Sequence, residues 1–263
     1  MSVRRSKEIA AYITSLEQEK ATLPFFRTLL TALLGGIFIG FTVVLHGIIS
    51  IAVTAGASDF ILSGVVYSIG FIIIFFTGAQ IFIGDFGMMA ALDKKVPWAG
   101  VVKNWLIIFV GNLAGALIFM FIYLNTSAYN ETMGDYFIVA ADDKCKITDW
   151  VLPFMGGFLG SILICLAVWM YSAAENTSGK ILLIMLPISA LAICGFEYSI
   201  ANMVIIPMGL SSLERVNSIP GGLSGELDLV NGILNNILPV TIGNLIGGTF
   251  IMGLIYWYVY KRN

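Results

Sequence analysis

The stretch Asn104-Trp105-Leu106-Ile107-Ile108-Phe109-Val110-Gly111-Asn112-Leu113-Ala114-Gly115 is answered late in the chain by Asn236-Ile237-Leu238-Pro239-Val240-Thr241-Ile242-Gly243-Asn244-Leu245-Ile246-Gly247. The interval from the first Asn to Gly-Asn-Leu-x-Gly is the same in both. Each copy lies in an apolar run, and such runs dominate: 58% of the 263 residues are hydrophobic and 11% are charged. Several exceed the roughly 20 residues that cross the hydrocarbon core of a bilayer. The chain therefore reads as an all-α integral membrane protein with six spans: Leu29 to Thr54, Phe60 to Leu92, Asn104 to Asn125, Trp150 to Ala174, Lys180 to Leu210 and Asn231 to Tyr260. Three spans fall in each half, so equivalent helices of residues 28–126 and 149–260 run in opposite directions, an inverted repeat.

Spans two and five become equivalents under this repeat, and both are long and interrupted by glycine, at Gly78 and Gly84 in one and Gly195 and Gly209 in the other. Paired broken helices point to a transport site. The run Gly195 to Met203 also places the ionisable Glu197 among apolar residues. A charge near the bilayer centre costs at least ~2.5 kcal/mol, so it is kept where protein or a water-filled cavity satisfies it. Gly111, Gly115, Gly243 and Gly247 at four-residue spacing read as points of close helix packing. A buried amide must be hydrogen-bonded, so the symmetric Asn112 and Asn244 read as structural groups tying down the broken helices, with Asn202 in the same supporting role.

Lys and Arg concentrate on the side of the N-terminus (Arg4, Arg5, Lys7, Lys20, Arg27, Lys94, Lys95, Lys103, Lys180, Lys261, Arg262), with only Lys144, Lys146 and Arg215 opposite. Both termini are therefore expected in the cytoplasm of a cell-membrane protein. Trp98, Trp257, Tyr256, Tyr258 and Tyr260 fit an inner aromatic belt and Trp150 an outer one. The charged leader before the first span is too long and too acidic for a signal peptide, so no cleavage is expected. Within it Ile9, Tyr12, Ile13 and Leu16 recur at helical spacing, which predicts an amphipathic cytoplasmic helix in 1–27, capped by Ser6, ahead of a channel domain in 28–263. Interfacial anchoring is one reading of that helix. The net charge of -2 comes with no basic patch, so no nucleic-acid partner is expected. Cys145, Cys165 and Cys194 make no metal set and read as packing residues. With no nucleophile-base set, metal cluster or nucleotide loop, neither an enzyme nor a cofactor is expected.

Four stretches in order, Lys103 to Ala116 (KNWLIIFVGNLAGA), Cys165 to Met170 (CLAVWM), Gly195 to Gly209 (GFEYSIANMVIIPMG) and Asn236 to Gly248 (NILPVTIGNLIGG), resemble the formate/nitrite transporter family, which includes hydrosulfide channels. The resemblance covers nearly the whole chain. It implies a homopentamer of aquaporin-like protomers, each with its own pore for small monovalent anions of weak acids, often moved with a proton, and a leader helix that gates the inner mouth. Three positions depart from the family pattern where its pore is narrow. Tyr198 stands where histidine usually follows Gly-Phe-Glu; Ile83 replaces the customary threonine of Ala79-Gln80-Ile81-Phe82-Ile83-Gly84-Asp85; Ser161 replaces an asparagine before the Cys-Leu-Ala-Val-Trp-Met stretch.

A phenol with an unperturbed pKa near ~10 cannot supply the cation that a central imidazole can. The sole histidine, His46, lies in the first span, off the broken helices, and reads as a hydrogen-bonded packing residue. The mechanism left open has vestibule cations attract the anion and an apolar constriction favour its neutral acid by desolvation. The resemblance gives Lys144 or Lys146 as the outer cation, and Arg27, with Lys20 as the alternative, at the inner mouth. It aligns Tyr67 and Leu191 with the outer constriction and Phe71, Ile81, Phe82 and Ile164 with the inner side, where apolar rings exclude hydrated ions by dewetting. Glu197 is read as bonded to backbone or to Asn112 and Asn244, orienting the break. The expected function is a channel or proton-coupled transporter for formate, nitrite or hydrosulfide. The alternatives are a pore altered toward small neutral solutes and a transport-inactive structural or regulatory membrane subunit.

Overall fold

The computed structural model describes residues 3–53 and 57–261, the side chains of 57–60 excepted. Ten helical elements follow one another: α1 (Ser6–Thr22), α2 (Phe25–Ala52), α3 (Ala57–Thr77), α4 (Gly87–Leu92), α5 (Trp98–Tyr123), α6 (Glu131–Cys145), α7 (Val151–Ala173), α8 (Thr177–Ile193), α9 (Ser199–Ser212) and α10 (Leu229–Tyr260). Four of them, α2, α5, α7 and α10, are long and apolar enough to cross a membrane unbroken. The other two crossings are composite, α3 with α4 and α8 with α9, which is the interrupted pattern of spans two and five. The predicted end of the first span at Thr54, the start of the leader at Ser2 and the positive charge of Arg262 lie outside the described residues.

Local chemistry sets most boundaries. Pro24 and Pro97 precede α2 and α5, positions where a missing N–H costs the helix nothing. The side chains of Asn130, Asn176 and Asp228 accept from the first turns of α6, α8 and α10. The fifth span accordingly begins at Thr177, a turn before the predicted Lys180. Ser6 does not cap α1: it is the first helical residue, Arg5 holds the cap position, and Glu8 reaches back to the Arg5 N–H at 3.0 Å. Two π-helical stretches, Gly232–Ile237 and Leu245–Met252, widen α10 on either side of the α-helical turns that hold Asn244.

The two halves pack alike. α2 lies on α5 so closely that a Cβ on Gly36 would meet the Asn112 carbonyl at 2.1 Å and one on Gly115 the Leu33 carbonyl at 2.0 Å. α7 lies on α10 with the same intimacy, at Gly243 against the Phe154 carbonyl (2.2 Å) and Gly247 against the Phe158 carbonyl (2.2 Å). Gly209 is a packing glycine of the same kind and not a break: it sits inside α9 with its face on the Phe137 carbonyl of α6. Leu30, Phe41, Leu106, Val110, Phe121, Leu152, Met155, Leu254 and Ile255 point outward from these helices, an apolar belt suited to lipid or to neighbouring protomers.

Two elements lie outside the repeat. α6 carries Met133, Phe137, Ile138 and Ala141 buried against α9, while its other side bears Asp143, Lys144 and exposed Val139. Its acidic residues interrupt the apolar pattern, so it does not register as a span. α1 buries Ile9, Ala10 and Ile13 among Phe86, Met89, Cys165, Trp169 and Ala173 at one end of the bundle. Its apolar face is thus covered by protein rather than left for lipid.

Candidate functional site

Both crossings are broken by the same device. Gly78 and Gly84 in the first break and Gly195 in the second adopt positive φ (74°, 79° and 67°), which ends the preceding helix at little steric cost. The backbone groups freed there need partners, and two asparagines supply them. Asn112 of α5 accepts from the Phe82 N–H at 2.9 Å and donates to the Ala32 and Gln80 carbonyls at 2.7 and 2.8 Å. Asn244 of α10 accepts from the Ser199 N–H at 3.0 Å and donates to the Gly157 and Glu197 carbonyls at 2.7 and 3.3 Å. The correspondence is residue for residue: Gln80 matches Glu197, Ile81 matches Tyr198 and Phe82 matches Ser199.

An outer cavity of about 410 Å³ opens above the second break, lined by His46, Tyr67, Tyr136, Lys144, Glu197 and Tyr198 among others. Lys144 Nζ donates to both carboxylate oxygens of Glu197 at 2.8 Å, and Asn202 Nδ2 donates to Oε2 at 2.7 Å while also reaching Asn236 Oδ1 at 2.6 Å. Glu197 therefore does not bond Asn112, which serves the other break. Its carboxylate faces the cavity and only its carbonyl meets Asn244. Lys146 points elsewhere, paired with Asp143 at the surface. Lys144 is the lysine in the vestibule because α6, absent from the sequence-level reading, turns it inward.

An inner cavity of about 290 Å³ lies beneath the first break, walled by Tyr12, Leu16 and Lys20 of α1 and by Gln80, Ile81 and Ile83. Lys20 lines it, whereas Arg27, expected first at the inner mouth, is exposed and not among its lining residues. α1 packs at the end of the bundle and presents Lys20 there, while Arg27 sits in the first turn of α2.

Between the cavities stands an apolar wall. Along α3, Tyr67 lines the outer cavity and Ile74 and Phe75 the inner one, with Phe71 fully buried a turn from each. Tyr198 packs edge-on against Tyr67 (5.8 Å between ring centres) and Phe71 (5.6 Å). Leu191, Ile83 and Ile164 are all at most 3% exposed, and Ile164 presses on Gly84, where a Cβ would come within 2.7 Å. The Tyr198 hydroxyl, buried in this wall beside the outer cavity, lies against the Tyr67 hydroxyl without closing a full hydrogen bond. Phe82 and Ser161 are buried as well, with partners of their own. Phe82 turns to Phe109 of α5 (5.1 Å), because its own N–H is held by Asn112, and the Ser161 hydroxyl donates to the Phe158 carbonyl next to Gly248.

Three participants gave little or no signal in the sequence. His46 reaches the outer cavity, with Nδ1 3.0 Å from the Tyr136 hydroxyl and its ring edge-on to Tyr67. Asp85 closes the first break by accepting from the Gly87 N–H (2.6 Å) and Trp105 Nε1 (2.8 Å). Glu17, 3% exposed, faces the protein on α1 beside Asp85 and accepts from Lys20 Nζ at 2.8 Å.

Burial first, and then the charge of Asp85, push the Glu17 carboxyl from its ordinary 4.5 up to about 8, against the pull of Lys20. A raised acid pKa in the docked state means that docking of α1 is strongest below pH 4.5 and weakens as pH climbs to about 8, by up to about tenfold per unit. Hydrogen exchange of the α1 amides at pH 5.5 and 8.5 should show greater protection at the lower pH, and Glu17→Gln should erase the difference. Equal protection at both pH values in the wild type counts against Glu17 as the controlling group.

Two inverted, broken-helix halves, facing cavities and an apolar wall between them define a multi-pass membrane channel or transporter protomer. The profile of the family described as formate/nitrite transporter matches residues 7–258, and the chain belongs to that family. It is 33% identical over 92% of its length to the formate channel FocA of Escherichia coli strain K12, covering 90% of that protein. It is 30% identical, end to end, to the uncharacterized transporter YrhG of Bacillus subtilis, of which it covers 96%. Among solved structures it resembles a pentameric formate channel with formate bound, at 29% identity and a TM-score of 0.77 over 90% of this chain and 98% of that one. An FNT family ion channel, 22% identical, shares the fold with a TM-score of 0.81 over 96% and 98%. These family members and neighbours are channels and transporters, not enzymes.

Proposed function

We propose that this chain passes formate and similar small monovalent weak-acid anions, nitrite and hydrosulfide among them, through a pore in each protomer of a homopentamer. The observation that carries the reading is the Tyr198 hydroxyl, buried with only the Tyr67 hydroxyl against it, at the boundary between a cavity holding Lys144 and a wall of Phe71, Ile83 and Ile164. Lys144 neutralises Glu197 on the path of the anion, and Tyr198 offers the permeant a hydrogen bond. The apolar wall, with Tyr67 and Leu191 above and Ile81 below, favours the neutral acid over the anion by desolvation, so the permeant crosses protonated. Lys20 receives it on the far side. Lys94, Lys95, Lys103 and Lys261 accompany Lys20 toward the N-terminal side of the sequence pattern, and Lys261 pairs with Asp93 at 2.7 Å, which supports cytoplasmic termini in a cell membrane.

Uptake of formate, nitrite and hydrosulfide into proteoliposomes over a pH series, with wild type beside Tyr198→His, tests the proposal. Wild-type flux of at least one of them, rising on acidification, is expected. Absence of flux for all three sinks it, and flux of uncharged solutes in their place would make this a neutral-solute pore.

A further inference from the structure

A phenol is neutral at working pH, so Tyr198 cannot hand the permeant the proton that the proposed route requires. The outer cavity holds a group that can. His46 is the only histidine in the chain, half-buried on α2, and it lines that cavity together with Lys144, Glu197 and Asp143. Its ring stands edge-on to Tyr67 at 5.1 Å, and Tyr67 in turn stands edge-on to Tyr198 at 5.8 Å. The three rings thus form a continuous flank from the vestibule to the buried Tyr198 hydroxyl. Nδ1 is engaged by the Tyr136 hydroxyl at 3.0 Å, with Ser50 Oγ more distant at 3.4 Å, which orients the ring and leaves Nε2 as the exchanging nitrogen.

We infer that His46 is the proton donor to the permeant anion at the outer vestibule. The inference rests on the weak-acid reading above. In the step, the N–H bond of the imidazolium Nε2 breaks and an O–H bond forms on formate, so cation and anion become neutral imidazole and formic acid. The acid enters the wall at Tyr198, and the imidazole regains its proton from water on the outer side. The charged groups around this exchange are the Lys144–Glu197 pair, whose charges offset each other, and Asp143, which is shared with Lys146. Tyr67, Tyr136 and Tyr198 are neutral hydroxyls at working pH.

Formate uptake by the full chain in proteoliposomes separates this route from simple entry of preformed acid. Entry of preformed acid keeps rising about tenfold per unit as pH falls toward ~4, whereas donation by His46 levels off once the imidazole is charged. Wild type is expected to show the plateau. His46→Gln is expected to lose it and to fall on the order of tenfold or more in rate within the pH range of that plateau. A plateau that survives in His46→Gln overturns the assignment while leaving the pore reading intact; no flux in wild type removes both. Independently of any variant, the ring resonances of the sole histidine can be titrated by NMR in wild-type protein. Saturating formate should move the midpoint upward, because an adjacent anion favours the imidazolium. An unmoved midpoint overturns the inference even if His46→Gln fails to assemble.

Discussion

Asn244→Leu is expected to abolish the second break and with it a stable protein. Leucine fills about the same space, so packing changes little, but three backbone groups lose their partner: the Ser199 N–H, the Gly157 carbonyl and the Glu197 carbonyl. Each buried polar group left unsatisfied costs about 1–3 kcal/mol, so roughly 3–9 kcal/mol is at stake. That is a large part of the about 5–15 kcal/mol that holds a typical domain together. The effect should appear as aggregation on extraction or a sharply lowered melting temperature, and Asn112→Leu should behave alike, since it orphans the Phe82 N–H and the Ala32 and Gln80 carbonyls. A wild-type melting temperature for Asn244→Leu would show that water or a neighbouring residue takes over these groups.

Lys144→Met is expected to cut formate flux at neutral pH by about thirtyfold. The variant leaves Glu197 facing the outer cavity with only Asn202 against it, so a neutral pair becomes a net negative charge on the path of an anion. At a separation of about 8 Å and an effective dielectric of about 20, the repulsion is about 2 kcal/mol. Adding Glu197→Gln removes that charge and should recover most of the flux, while Glu197→Gln alone leaves Lys144 as an uncompensated attraction. Initial rates of formate uptake for the three variants at pH 7.5 decide the matter. If Lys144→Met transports at the wild-type rate, the pair plays no part in anion entry.

The fold is legible in the chain because its main signals are one-dimensional. Apolar length marks the crossings, the doubled Gly-Asn-Leu-x-Gly marks the repeat, and an odd number of spans per half forces the inversion. The positions of Asn112 and Asn244 follow from the same repeat. Gly209 misleads because a helix-packing glycine and a helix-ending glycine are the same letter, and only φ separates them. α6 escapes notice because its buried face is diluted by Glu131, Asp135, Asp142 and Asp143, although it is the element that turns Lys144 toward Glu197.

The sequence by itself determined six crossings, their inverted pairing and the two breaks, all properties that depend on residue type and spacing along one chain. The tertiary structure alone decided which polar groups meet. Lys144 rather than Lys146 faces the outer cavity, Lys20 rather than Arg27 faces the inner one, and Phe82 packs on Phe109. His46 was placed beside Tyr67 and Glu17 beside Asp85 by helices far apart in sequence. The reason is rotational: hydropathy says that a residue lies in or beside a helix, but which way it faces is fixed by packing against neighbours whose register no local pattern records.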